Sequence, residues 1–194
     1  MKLIVGLGNP GDDYLNSRHN LGFDALEQLR HKLGVDQAWQ KEPKFKGEII
    51  KFSGLDLILL RPLTFMNKSG QAVSLVAEYF KIKPEDIIVV HDELDLLLGK
   101  LKVRMGGAAA GHHGVESIIE SLGTDKFVRV RLGIGNQDGF LGEHKRIAFS
   151  AESFVMEQFL QNEKSKVKSL LKQAVLAIET IIEKGVEEAQ SQHH

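Results

Sequence analysis

The sequence predicts an α/β fold: a single domain with a mixed, mostly central β-sheet covered by helices, and an amphipathic helix near the C-terminal end. Three observations predict it. Short apolar runs that suit buried strands, KLIVGL at 2–7 and DIIVVH at 86–91, are separated by stretches of helical periodicity. Two other segments, 101–105 and 127–134, alternate apolar and basic residues as half-buried strands do. Strand-like and helix-like segments also take turns along most of the chain, which is the order of a sheet with helices on its faces.

The elements follow in order. The first strand runs into Gly6 and Gly8. A helix is expected from about Asn16 or Ser17, either able to cap it, with Phe23, Leu26, Leu29 and Leu33 at helical spacing and Gly34 as its stop. Residues 46–52 and 55–60 read as two strands joined at Ser53-Gly54. A helix over about 67–80 puts Ala72, Val73, Val76, Ala77 and Phe80 on one face. Strand 86–91 is followed by 101–105, with Leu101, Val103 and Met105 on one side and Lys102 and Arg104 on the other. A glycine- and alanine-rich loop (106–111) leads into a helix over about 113–122. In 127–134, Arg129 and Arg131 share one face, and Val128, Val130, Leu132 and Ile134 the other. The stretch 135–150 is polar and irregular. A last helix over about 162–184 carries the stripe Val167, Leu170, Leu171, Ala174, Ile178, Ile181 and Ile182. Residues 1–190 form one domain, and 191–194 a polar tail whose two histidines resemble part of a tag.

Composition excludes several classes. With 194 residues the chain can bury a core without staples, and with no cysteine it has no disulfide, zinc–thiolate site or cysteine nucleophile. That usage fits a reducing cytoplasm. The opening MKLIVGLG is too short for a signal-peptide core, and no window approaches 18 continuous apolar residues, so no membrane association is expected. The net charge is −1, so a polyanion site must be a local basic patch.

Gly6-x-Gly8-x-x-Gly11 after a strand invites a dinucleotide-binding reading. Against it, Pro10 lies inside the loop, the helix opens several residues after Gly11, and the next strand ends in Lys51-Phe52 instead of an acidic ribose ligand. A tight turn is the plainer reading. His19, in Arg18-His19-Asn20, follows the C-terminal end of one strand, and Asp92 follows another; α/β folds place their sites at such ends. Together the two side chains would make a general base, the carboxylate fixing the histidine tautomer. No G-x-S-x-G elbow supplies a nucleophile, and Ser17 and Ser69 suit caps or turns, so activated water is the expected attacker. The adjacent His112 and His113 are a poor metal pair, and no H-E-x-x-H occurs; no metal or cofactor is expected. For Lys102, Arg104, Arg129 and Arg131 a solvated sheet face is the usual reading and a phosphate clamp close to the glycine-rich loop the functional one, and alternation alone does not decide between them.

Five separated motifs then align in order. They are Gly6-Leu7-Gly8-Asn9-Pro10-Gly11 with Tyr14 and Arg18-His19-Asn20-x-Gly22-Phe23; Pro62-Leu63-Thr64-Phe65-Met66-Asn67-x-Ser69-Gly70; His91-Asp92-Glu93-Leu94-Asp95; Gly106-Gly107 through Gly111-His112-x-Gly114; and Arg129-x-Arg131-x-Gly133-Ile134-Gly135. The set strongly resembles the bacterial-type peptidyl-tRNA hydrolases over about residues 1–135. The resemblance implies a monomeric α/β hydrolase without a metal, acting on the ester between a peptide and the 3′-terminal ribose of tRNA, and so recycling tRNA from stalled translation. It implies His19 as base on water, Asp92 as its orienting carboxylate, and Asn9 and Asn67 as amides contacting substrate and water, Asn9 also telling a blocked amino group from a free one. Tyr14, Phe65 and Met66 would line the groove for peptide and terminal adenosine. Lys102, Arg104, Arg129 and Arg131 would hold acceptor-arm phosphates.

There are departures. His113 stands where the family normally has a substrate-contacting asparagine, Leu97 replaces a usual proline, Asn136-Gln137 replace a basic residue and proline, and 136–152 is longer and less regular. They fall on contacts to tRNA and peptide, not on His19, Asp92, Asn9 or Asn67. Two rival functions remain open to the sequence. One is that of a non-enzymatic relative that binds RNA through the same face to assist plastid intron splicing, disfavoured by the intact catalytic set and the lack of a transit peptide. The other is that of a nucleotide-dependent oxidoreductase.

Overall fold

The computed structural model describes residues 1–34, 37–52, 54–135 and 151–193. Seven strands form one sheet: β1 (Lys2–Gly6), β2 (Gln40–Glu42), β3 (Gly47–Phe52), β4 (Leu57–Pro62), β5 (Ile87–Leu97), β6 (Leu101–Met105) and β7 (Val128–Gly135). Their order is β2-β3-β4-β1-β5-β7-β6. The four central strands, β4, β1, β5 and β7, are parallel; β2, β3 and β6 join antiparallel at the margins. Apolar runs without alternation therefore lie in the doubly covered centre, and the alternating segment with Lys102 and Arg104 lies at an edge, as burial demands.

Helices cover both faces. The helices α1 (Leu21–Lys32), α5 (Lys164–Lys184) and α6 (Val186–Gln192) pack on the side of Ile4, Ile88, Val90 and Val130. The helices α2 (Ser69–Phe80) and α3 (His113–Leu122) pack on the side of Leu3, Val5 and Val89. A short α4 (Ala151–Met156) stands before α5. In α5 the expected stripe is buried at Leu170, Leu171, Ala174, Ile178 and Ile181; each fully buried Leu or Ile contributes roughly 1.5–3 kcal/mol. Among the described residues no helix is long and apolar enough to cross a membrane.

Several boundaries differ from expectation. Residues 18–20 form a 3-10 turn after Ser17, and α1 proper starts at Leu21; neither Asn16 nor Ser17 caps it through its side chain. β5 does not end at His91: it continues to Leu97 through a register shift between Glu93 and Leu97. Glycines on the neighbouring strand allow this, because a Cβ on Gly133 would lie 2.3 Å from the Leu97 carbonyl oxygen. β2, α4 and α6 have no periodic signal long enough to announce them, and α6 takes in part of the expected polar tail. The irregular stretch 136–150 and Ser53 of the expected turn lie outside the described residues.

One contact sets the site's frame. Gly22, in the first turn of α1, lies against backbone: a Cβ there would be 2.4 Å from both the Leu7 nitrogen and the Val90 carbonyl oxygen. A Cβ on Gly6 would likewise be 2.4 Å from the Gly22 carbonyl oxygen. Leu7 N–H donates to Val90 O at 2.9 Å. The start of α1 is thus pressed onto the end of β1 and onto β5 at Val90, and the glycines of the first motif serve helix–strand packing.

Candidate active site

His19 sits on the 3-10 turn after β1, and Asp92 on β5 beside it. Their distance is 2.9 Å, from His19 Nδ1 to Asp92 Oδ1. The same carboxylate oxygen is met at 3.0 Å by Nε2 of His112. The tautomers follow from the hydrogen bonds. His112 is the residue before α3, and its Nδ1 accepts the backbone N–H groups of Gly114 and Val115 at 3.2 and 3.3 Å. The free donors of a helix start thereby make Nδ1 an acceptor, leaving the proton on Nε2 to be donated to Asp92. An ionised Asp92 accepts from both rings, so His19 carries its proton on Nδ1 and has Nε2 left over as a base.

Asp92 is fully buried, which by itself would raise its pKa. The charges of His19 and His112, and the hydrogen bonds from both, outweigh burial and hold the carboxyl well below the usual carboxylate range. It is an anion at neutral pH. His91, beneath, is held neutral: burial first, then the neighbouring His112, push its pKa well below the ordinary histidine value. Its Nδ1 donates to the Asp92 carbonyl at 2.6 Å, and its ring meets that of His112 edge to face with centroids 4.7 Å apart. Among the described residues, His19, Asp92 and His112 are also the cluster whose ligand atoms could face one ion. His19 Nδ1 and His112 Nε2 are each hydrogen-bonded to Asp92 Oδ1, at 2.9 and 3.0 Å, and an ion bound by His112 Nε2 would have to displace the proton that the helix start fixes in place.

Asn9 is oriented without ambiguity. Its Oδ1 accepts Met66 N–H at 2.8 Å, its own N–H donates to Asn20 Oδ1 at 2.8 Å, and Asn20 Nδ2 donates back to Asn9 O at 3.0 Å. Asn9 Nδ2 is then turned away from the Met66 backbone, to where the weak acceptor Met156 Sδ lies 4.0 Å from it. Asn67 is exposed on the 3-10 turn Met66–Lys68 that precedes α2. Phe65 is 57% exposed, and Tyr14 meets it edge to face at 6.4 Å; Met66 is buried. The His113 side chain is exposed, 3.5 Å from Glu116 Oε2. A cavity of about 190 Å³ is lined by His19, Asp92, Glu93, His112, His113 and Val155, among others. A larger one, about 520 Å³, lies between α1 and α5, away from the His19–Asp92 pair; it holds Asp24, whose carboxyl burial pushes up to about 6.

The basic residues fall side by side: Lys102 pairs with Arg131 and Arg104 with Arg129 across β6 and β7. They are not equivalent. Lys102 and Arg104 are exposed. Arg131 Nε donates to Glu93 at 2.9 Å. Arg129 is 3% exposed and donates to the Ala108 carbonyl at 2.8 Å and to the Gly106 carbonyl. It holds the glycine-rich loop from beneath and has no surface to offer a phosphate.

Comparison with known proteins gives the family. The family model described as peptidyl-tRNA hydrolase matches residues 3–194. The chain belongs to the peptidyl-tRNA hydrolase family. It is 39% identical over 193 residues to the peptidyl-tRNA hydrolase of Gloeobacter violaceus, covering 98% of this chain and 92% of that protein. It is 38% identical to that of Mycobacterium tuberculosis, with 99% and 96% covered. The crystal structure of peptidyl-tRNA hydrolase from Acinetobacter baumannii superposes with a TM-score of 0.84 at 35% identity, covering 99% of this chain and 93% of the other.

The roles of His112 and Asn20 are not visible in the sequence. His112 suggests itself there only as a metal ligand, and the signal for its true place is its position directly before a helix, where a side-chain acceptor is wanted. Asn20 lies in plain view in the Arg18-His19-Asn20 motif, but nothing local indicates that it pairs with Asn9.

Proposed function

We infer that this protein hydrolyses the ester joining peptide to tRNA in peptidyl-tRNA. The carrying observation is His19 Nδ1 held on the buried anion Asp92, in a member of this family, with Nε2 left to take a proton. In the reaction, His19 Nε2 takes a proton from water while the water oxygen bonds to the ester carbonyl carbon. The tetrahedral intermediate then collapses, and the C–O bond to the ribose breaks. The departing 3′-oxygen takes the proton from the imidazolium, which Asp92 has supported meanwhile. General-base catalysis of this kind contributes about 10²–10⁴-fold. An ester has a good leaving group, so no covalent intermediate is needed.

The oriented Nδ2 of Asn9 and the exposed amide of Asn67 are assigned to substrate and water, with Asn67 or a backbone N–H stabilising the oxyanion. Tyr14, Phe65 and Met66 are assigned to the peptide and terminal-adenosine groove, and His113 to the pocket rim. Lys102, Arg104 and Arg131 are assigned to acceptor-arm phosphates, and Arg129 to support of the loop beside them. The enzyme is taken to act as a cytoplasmic monomer without a metal.

Hydrolysis of N-blocked against free aminoacyl-tRNA, each with and without EDTA, tests this reading. The expected result is cleavage of the blocked substrate alone, unchanged by chelator. Cleavage of neither substrate would sink the assignment, and activity lost in EDTA and restored by zinc would sink the metal-free mechanism.

The phosphate assignment has its own test. Lys102→Ala and Arg104→Ala are each expected to weaken tRNA binding and to reduce the log–log salt slope by roughly 0.7–0.9 for each phosphate no longer neutralised. Unchanged slopes in both would return these side chains to a solvated face. Arg131→Ala is less clean, because it strands the buried Glu93.

A further inference from the structure

The residue before the base is built into a second structure that the reaction described above does not use. Arg18 is 3% exposed. Its guanidinium donates two parallel hydrogen bonds to Glu163, Nη1 to Oε1 at 3.1 Å and Nη2 to Oε2 at 2.7 Å. The same group lies over two rings, 4.4 Å from the centroid of Phe154 and 4.7 Å from that of Phe159. Glu163 is held in its turn, since Oε2 also accepts Leu160 N–H at 2.8 Å. Backbone joins in: Arg18 N–H donates to Glu157 O at 2.9 Å, and Ser17 forms a β-bridge with Gln158. Five groups from residues 154–163 thus grip two residues that directly precede His19 in the chain.

The other side of this grip faces the site. Ala151, Glu152 and Val155 of α4 line the cavity that His19 and Asp92 open into. Met156 Sδ lies 4.0 Å from Asn9 Nδ2. The segment that grips Arg18 is therefore also a wall of the pocket. A planar, bidentate, doubly stacked guanidinium is a stiff connection, and Lys could not reproduce it.

We propose that Arg18 and Glu163 are positioning residues: their clasp sets where His19 and the α4 wall stand relative to each other, and so sets the efficiency of the base. This rests on the reading of His19 as the base. Neither clasp residue is assigned a contact with substrate.

Arg18→Lys and Glu163→Gln test it. Glutamine is nearly isosteric and guards against simple failure to fold. Three quantities are read in both variants: kcat on peptidyl-tRNA, Kd for deacylated tRNA, and the proton resonance of His19 Nδ1–H on Asp92. Misplacement of a catalytic group by about 1 Å can cost on the order of 10²-fold, so kcat is expected to fall by about 10- to 100-fold. The Kd should stay at the wild-type value, and the Nδ1–H resonance should shift or broaden. Wild-type kcat with an unmoved resonance would overturn the proposal. So would equal losses of kcat and tRNA affinity with an unmoved resonance, the signature of a merely structural pair. The imidazole resonance is read without substrate. Should the wild type fail to cleave peptidyl-tRNA, that failure would fall on the proposed function, and the resonance would still decide whether the clasp positions His19.

Discussion

His19→Ala is expected to remove nearly all turnover while tRNA binding stays close to wild type. The variant deletes the imidazole that Asp92 orients, with its Nε2 left over; His112 has its Nδ1 on the start of α3 and its Nε2 on Asp92, and the exposed His113 has no such carboxylate behind it, its Nδ1 lying 3.5 Å from Glu116. His91 cannot replace His19, being buried with its Nδ1 on a backbone carbonyl. A loss of about 10²–10⁴-fold in kcat is the usual scale for a general base. The fold should survive. Asp92 keeps its hydrogen bond from His112, so truncation leaves no buried anion without a partner. The phosphate contacts proposed for β6 and β7 are on other elements, and the Kd for deacylated tRNA should reflect that. Single-turnover rates and tRNA titrations check both halves; retention of more than about a tenth of wild-type kcat would remove His19 from the base role.

Asp92→Asn is expected to be the second-largest loss, again in kcat. Both histidines donate to the same oxygen, so an asparagine that turns its carbonyl to them keeps the geometry. What disappears is the charge that supports the imidazolium as His19 takes its proton, and a loss of about 10²-fold or more is expected for a general base so deprived. With that charge gone, the pH–rate profile should change. In the wild type the linkage at Asp92 concerns stability. Its pKa is depressed in the fold, so its stabilising contribution is present above the unfolded carboxylate value of about 3.9 and is lost as pH falls below it. Wild type and variant should accordingly differ most in melting temperature near neutral pH and converge in acid. A variant with the wild-type pH–rate profile would exclude Asp92 from the mechanism.

The fold was legible where burial imposes a period. The central strands β1, β4 and β5 carry apolar runs because both faces are covered, and α1, α2, α3 and α5 have stripes at helical spacing because one face is. β2, α4 and α6 are three, six and seven residues long, too short for a period to establish itself. In the site, His19 and Asp92 could be paired by expecting both just after strand ends, although β5 in fact runs on past Asp92 to Leu97. His112 and the Arg18–Glu163 clasp could not, since their partners are set by tertiary contact across up to 145 residues. The basic stripe shows the limit of alternation: Arg129 and Arg131 share a face, yet one is buried on loop carbonyls while the other, half-buried, gives its Nε to Glu93. Periodicity tells which way a side chain leaves the strand. It does not tell what waits there.

Gly22 has a consequence for robustness. Side chains in a core hop between rotamers and give way when a neighbour is exchanged, so an interval transmitted through them drifts with temperature and with each conservative substitution. The interval between the His19 turn and the Asp92 strand is transmitted instead by peptide resting on peptide, at Gly22 against Leu7 and Val90. Nothing at that junction can rotate. Leucines and valines farther out in the core can vary without the error reaching the reacting atoms. The tolerance of this junction is concentrated in Gly6 and Gly22, two positions in contact that admit no side chain.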